Sequence, residues 1–308
     1  MKLRPSTPLA RVPLLAALAG IALFASACGE SLDEAGSASG ATQAQDASLA
    51  GMLPASVKEK GTITVAAAIY APAVMAASAT AEPTGWDIQL TREAAALLGL
   101  KVEFKIIPFN GVIPGLQAGR YDAATGEIYV TPERTKTVTF VVNHVSRDEF
   151  LVRADSQYTG FASESDVCGL VIGASLGSAE ADFANKIAAK CKATGGKATT
   201  VKTFNDQATV NLALDQGRID VDLASGSQAA YAAAQSNGKF KVATIEFGDE
   251  IKTGLAIANN ADTAQLAAAF EAATNKLIED GRLKQILDQD NGGLGVITKS
   301  EIVPAPAG

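Results

Sequence analysis

Arg134 is the side chain of this chain best suited to hold a small molecule. It stands in T-P-E-R, at the end of the stretch Lys101 to Phe140, KVEFKIIPFNGVIPGLQAGRYDAATGEIYVTPERTKTVTF. A guanidinium is planar, always charged and able to grip a carboxylate with two parallel N–H bonds. The simpler structural role for Arg134 is to cap the next helix or to pair with Glu133. A second candidate is Leu176-Gly177-Ser178-Ala179, where a helix opens after a strand. The first N–H groups of a helix have no partner within it, and its dipole favours an anion there. Ser178 would cap this helix, and capping is compatible with binding. Other chemistry is hard to find. His144, the only histidine, stands alone in V-V-N-H-V, near an expected strand end. There is no CxxC, no Ser/His/Asp set and no phosphate loop, so neither a metal nor another cofactor is expected.

The elements that must position these groups alternate between the two periodicities. Lys101 to Ile107 places Val102, Phe104 and Ile106 on one face, as a strand does. Asn110 can cap a helix carrying Val112, Ile113 and Leu116, which Gly119 ends. Tyr121 to Val130 returns as strand. A βαβ unit of this kind builds a parallel sheet, and small ligands bind beyond the carboxyl ends of its strands. Further strands are expected at 62–68, 150–153, 171–174, 199–203, 221–223, 241–244 and 253–258. Helices are expected at 87–98, 132–135, 179–190, 208–216, 227–235, 263–280 and 282–288. In the long one, Leu266, Phe270, Ala273 and Leu277 form one buried stripe. The fold class is α/β.

The N-terminus reads as a targeting segment. Lys2, Arg4 and Arg11 precede a short apolar run, Leu14 to Phe24, and then Ala25-Ser26-Ala27-Cys28. The run is too short to span a bilayer. The last four residues have the form of a lipobox, so cleavage after residue 27 would leave a lipid on Cys28 and anchor the protein to a membrane. Ser31 to Ala50, rich in Ser, Ala, Gly and Gln, reads as a flexible tether. The chain left after cleavage would carry 23 basic and 33 acidic residues, a net charge of −10. That argues against nucleic acid and against adhesion to anionic membranes by charge. Two further cysteines, Cys168 and Cys191, make an even pair in an exported chain, and a disulfide is expected. It would tie the far end of the helix from Ala179 back to the strand before it.

The sequence around Arg134 resembles the extracellular solute-binding protein family 3, the polar-amino-acid receptors of ABC importers. The resemblance rests on F-N-G-V-I-P-G-L-Q-A-G-R-Y-D followed nine residues later by T-P-E-R. GTITVAAAIYAP, GWDIQLTREAAALLGLKVEF, CGLVIGASLGSAEADF and LALDQGRIDVDLASGSQAAY fall in the family's order. It covers roughly Gly61 to Asp288 and implies a two-lobed periplasmic-binding-protein fold with parallel-rich sheets and two crossing hinge strands. The expected division is a signal peptide at 1–27, a lipidated cysteine and tether at 28–55, lobe 1 at 56–150 plus 248–290, lobe 2 at 151–247 and a C-terminal tail at 291–308. The implied partners are a small polar solute and a membrane permease, with the protein itself monomeric and extracytoplasmic.

The resemblance also implies a site. Arg134 matches the carboxylate-binding arginine, and Gly177 with Ser178 matches the helix turn facing it. Tyr70 matches the first-strand aromatic, and Phe109 stands where an aromatic or leucine lines the pocket. Trp86, in place of a phenylalanine, is expected to pack. Amino-acid receptors of the family hold the solute's ammonium with an aspartate at the position of Ser225. Here that residue is missing, and Asp222 is three residues away. The family's S-G-M-T turn becomes Gly126-Glu127-Ile128-Tyr129, with Glu127 close to the solute's backbone. These departures imply an altered solute, an amino-acid derivative or a cation. Glu127 would pair with it, or else with Arg134 or Arg147 inside the protein, and Tyr70, Phe109 and Tyr129 could face the cation. Two other functions share the fold: a dehydratase using Glu127 as a general acid, and a sensor presenting its closed form to a membrane partner.

Overall fold

The computed structural model describes residues 43–290 and 295–306. Two short helices, α1 (Ala47–Gly51) and α2 (Ala55–Lys60), lead into a first lobe. Its elements are β1 (Thr62–Ala67), α3 (Trp86–Leu97), β2 (Lys101–Ile106), α4 (Val112–Gln117), β3 (Ala123–Thr125) and β4 (Val138–Ser146). The chain crosses at Arg147 into a second lobe. This holds β5 (Asp148–Arg153), β6 (Gly160–Phe161), β7 (Val171–Ser175), α5 (Ala179–Ala193), β8 (Thr200–Phe204), α6 (Gln207–Asp215), β9 (Val221–Ser225), α7 (Gly226–Gln235) and β10 (Phe240–Ile245). It then returns to the first lobe with β11 (Ile251–Ala258), α8 (Thr263–Glu279), α9 (Arg282–Leu287) and β12 (Ile302–Val303).

Each lobe is built on one sheet, ordered β12-β4-β11-β3-β1-β2 in the first and β6-β10-β5-β9-β7-β8 in the second. β1 pairs in parallel with β2 and β3, and β7 in parallel with β8 and β9. The carboxyl ends of these parallel strands therefore meet at the cleft, which is where an open α/β sheet places its ligands. The crossing falls at Arg147, before the expected division at residues 150 and 151, because β5 already pairs with β9 from Asp148 onward.

The stripe expected on α8 is buried as read, with Leu266, Phe270, Ala273 and Leu277 in the core of the first lobe. Trp86 is buried in the same core, and its ring meets that of His144 edge-on at 4.8 Å. Burial pushes the His144 imidazole down to about 3, so it stays neutral and serves packing. In the second lobe Cys168 and Cys191 are disulfide-bonded, joining the last turn of α5 to the segment before β7.

Four expectations need correction. Val138–Ser146, the longest strand described, was not among the expected strands. The strand read from Tyr121 to Val130 ends at Thr125, because Gly126 and Glu127 take φ of 125° and 53°. The part of the expected tether from residue 43 onward is docked: the Asp46 N–H donates to the Leu97 carbonyl, and Leu53 is buried in the first core. The expected tail is also partly built in, since β12 pairs with β4 and Ser300 is buried under it.

Candidate functional site

Four of the parallel strands, β1, β3, β7 and β9, present residues to the cleft at or just past their carboxyl ends. β1 delivers Tyr70, β3 delivers Glu127, β7 delivers Gly177 and Ser178, and β9 ends on Ser225. The two lobes touch through these groups. The Tyr70 hydroxyl accepts the Ser225 N–H at 2.9 Å and donates to Glu180 Oε1 at 3.3 Å. Ser227 Oγ donates to Glu127 Oε2 at 2.7 Å, and Arg134 Nη2 donates to the Gly177 carbonyl at 3.3 Å. The conformation is closed. Gly177 is required by the closure: its φ is 79°, and a Cβ there would lie 3.1 Å from Asn110 Cβ of the opposite lobe. An L side chain is disfavoured on both counts.

The turn that presents Glu127 is held by a buried carboxylate. Asp87 Oδ2, at the start of α3, accepts the N–H groups of both Gly126 and Glu127 at 2.8 Å. Burial raises the Asp87 pKa, and these two N–H groups work against that rise. A non-glycine residue at positive φ costs of order 1 kcal/mol or more and persists where its surroundings over-determine it. Here the two N–H bonds fix the turn, and the glutamate side chain is aimed into the cleft.

Glu127 is 4 % exposed and makes no ion pair among the described residues. Neither Arg134 nor Arg147 pairs with it, so the internal ion pair weighed from sequence is absent. Its partners are serines: Ser146 Oγ donates to Oε1 at 2.9 Å and Ser227 Oγ to Oε2 at 2.7 Å. Burial pushes its carboxyl up to about 7. The hydroxyls of Ser227, Ser146 and Ser225 oppose that rise, and the charge of Glu180 adds to it.

Arg134 lies in a short 3-10 turn, 134–136, in place of the expected helix, and is 8 % exposed. Nη1 donates to the Tyr129 carbonyl at 2.9 Å, and the guanidinium lies 5.4 Å above the Phe109 ring. It too makes no ion pair among the described residues. Burial lowers its pKa, while the charges of Glu180 and Asp182 raise it. Two of the five guanidinium N–H donors are engaged, both by backbone carbonyls.

Ser178 caps α5 by accepting the Ala181 N–H at 3.1 Å. Ser225 caps α7 by accepting the Gln228 N–H at 3.3 Å. Its own N–H is given to Tyr70, so Ser225 offers no charge to a solute. Asp222 is no substitute. It is fully buried behind the cleft, bonded to Gln207 Nε2 at 2.8 Å, and burial raises it to about 8. Tyr129 is 2 % exposed, with its hydroxyl donating to Asp148 at 3.0 Å.

Two cavities flank the closed centre. One of about 450 Å³ has an apolar wall of Ile69, Tyr70, Ile106 and Phe109 from the first lobe and a polar wall of Ser175 and Asn205 from the second. The other, about 510 Å³, lies on the hinge side beside Tyr129, Arg147 and Asp148. Among the described residues there is no cluster suited to a metal ion, and no helix is long and apolar enough to cross a membrane. Cys28 lies outside the described residues.

Sequence reading missed Asp87, Ser146, Ser227 and Glu180. Asp87 was visible in G-W-D, but only the fold shows it reaching residues 126 and 127. Glu180 was visible as an acidic residue in the first turn of α5, where helix-dipole stabilisation explains it without any ligand.

Comparison with known proteins adds the family. The sequence profile of bacterial extracellular solute-binding proteins, family 3, matches residues 63–290. The L-cystine-binding protein TcyA of Bacillus subtilis is 26 % identical over 246 residues, 79 % of this chain and 86 % of that protein. A probable amino-acid ABC transporter-binding protein of Haemophilus influenzae is 28 % identical over 206 residues, 66 % of this chain and 74 % of that one. An ancestral arginine-binding protein, solved with arginine bound, superposes with a TM-score of 0.65 at 27 % identity, covering 75 % of this chain and 99 % of that one. These relatives are binding proteins rather than enzymes. The chain belongs to the bacterial extracellular solute-binding proteins of family 3, and it acts as an extracytoplasmic solute receptor.

Proposed function

We propose that the solute is a zwitterion of the amino-acid class, with its carboxylate on Arg134 and its cationic group on Glu127. One observation carries this assignment. Two oppositely charged groups, Arg134 and Glu127, are both more than nine-tenths buried in one cleft, and neither has an ionic partner among the described residues. A buried charge without a partner is costly, so a solute carrying both complementary charges offsets both costs together. The N-terminus of α5 at Gly177 and Ser178 adds a second contact for the carboxylate. Tyr70 and Phe109 form the wall, and the 450 Å³ cavity beside them takes the side chain. Relatives named for cystine and arginine agree with a zwitterion whose side chain is long or polar.

Cys28 would carry the lipid that holds the receptor near its permease, with residues 29–42 as the link. The receptor would act as a monomer. Tested in a thermal-shift screen of amino acids, their betaines, amines and small organic acids, it should be stabilised by zwitterions. Stabilisation by organic acids alone would remove Glu127 from the site, and by amines alone would remove Arg134. Metabolic labelling with a fatty acid, lost in Cys28→Ala, checks the anchor.

A further inference from the structure

Resting on the zwitterion assignment above, we infer that Glu180 is the acidic residue by which the second lobe grips the solute's ammonium, replacing the carboxylate absent at Ser225. Nothing in the family pattern assigns this position. Three observations lead to it. First, the Tyr70 hydroxyl sits between Ser225 N at 2.9 Å and Glu180 Oε1 at 3.3 Å. One phenol oxygen therefore places the Glu180 carboxylate beside the residue where an ammonium-binding group is missing. Second, Glu180 is 7 % exposed, yet its described contacts are that single long hydrogen bond and no ion pair. A carboxylate has room for about four acceptor contacts, so most of its capacity is unspent. Third, it lies on the cleft side of the α5 N-terminus, two residues past the capping Ser178, where the helix dipole supports a negative charge.

Glu127 and Glu180 belong to opposite lobes, and both approach the Tyr70–Ser225 contact. Across the closed cleft their charges repel. An ammonium between them is attracted to both lobes at once, which couples binding to closure. Arg134, attached to the first lobe and bonded to Gly177 of the second, would orient the carboxylate end of the same solute.

The test uses matched pairs that differ only in the α-substituent: L-arginine with argininic acid, L-leucine with leucic acid, and L-phenylalanine with phenyllactic acid. Binding to wild type, Glu180→Gln and Glu180→Asp is measured by titration calorimetry at pH 8, with circular dichroism confirming the fold. Wild type should prefer the amino member of a bound pair by at least tenfold. Glu180→Gln should lose most of that preference, and Glu180→Asp should restore part of it. A Glu180→Gln variant that keeps the full preference overturns the assignment of Glu180 while leaving the zwitterion site intact. If wild type binds no pair, or shows no preference for the amino member, the zwitterion site itself fails and Glu180 with it.

Discussion

Tyr70 and Ser225 are joined across the cleft: the backbone N–H of Ser225 donates to the Tyr70 hydroxyl at 2.9 Å. Tyr70 comes after the first strand of one lobe, and Ser225 ends a central strand of the other. Tyr70→Phe keeps the ring and deletes the oxygen, leaving the Ser225 N–H and one Glu180 oxygen without their partner. A neutral hydrogen bond contributes about 0.5–1.5 kcal/mol net, and exposing a buried donor adds to that loss. The variant should open more readily. Small-angle scattering of the unliganded protein should show a larger radius of gyration, and solute affinity should fall about tenfold. An unchanged radius would show that this bond does not hold the lobes together.

Arg134→Ala removes the charge facing Gly177 and two bonds to backbone carbonyls. Its stability cost is limited, because an unpaired buried guanidinium is itself expensive to keep. Binding should suffer more, since charge-assisted contacts contribute about 1.5–3 kcal/mol each. Affinity should fall at least tenfold in calorimetry, with the apo melting temperature nearly unchanged. Wild-type affinity in this variant would reject the carboxylate site.

Much of the fold was legible in the sequence, and the site was legible in part, for a physical reason. Helices such as 263–279 announce themselves because their stripe is local in sequence. Strand 138–146 did not: V-T-F-V-V-N-H-V-S is buried on both faces, so it lacks the alternation that marks a half-exposed strand. The strand read from Tyr121 to Val130 was cut short by Asp87, nearly forty residues away, whose two bonds impose the turn at Gly126 and Glu127. Gly177 and Ser178 follow β7 closely and Arg134 stands in T-P-E-R, so these three could be placed from motif and spacing. Glu180 could not, because its position beside Ser225 depends on how α5 packs against β9 within the second lobe, and its bond to Tyr70 on how the two lobes meet.

The disulfide between Cys168 and Cys191 closes a loop spanning 23 positions. On the chain-entropy model such a closure contributes about 3 kcal/mol. Cys168→Ser with Cys191→Ser should lower the melting temperature by several degrees, at about 2–4 °C per kcal/mol for a chain of this size. Solute affinity should change little, since neither sulfur reaches the cleft. Alkylation without reduction should label neither cysteine in the exported protein, and labelling of both would refute the bridge.

Glu127 gives the receptor a pH dependence whose sign can be worked out. Its carboxyl is raised by burial from 4.5 to about 7 in the folded protein, so the native state holds a proton that the unfolded chain releases. Its contribution to apo stability is therefore fully present below about 4.5 and is lost as pH rises through about 7. Asp222, raised from 3.8 to about 8, acts in the same direction over a wider window. Solute binding should run the other way, because the ammonium needs Glu127 ionised. Affinity for a zwitterion should rise about tenfold per pH unit below 7 and level off above it. Glu127→Gln keeps the shape and removes the titration, so it should bind weakly with little pH dependence over this range, while its apo stability loses the component that fell between pH 4.5 and 7. Calorimetry from about pH 5 to 9 on both proteins separates the two effects. If Glu127→Gln retains both wild-type affinity and the wild-type slope, the proton belongs to another group and Glu127 does not meet the solute's charge.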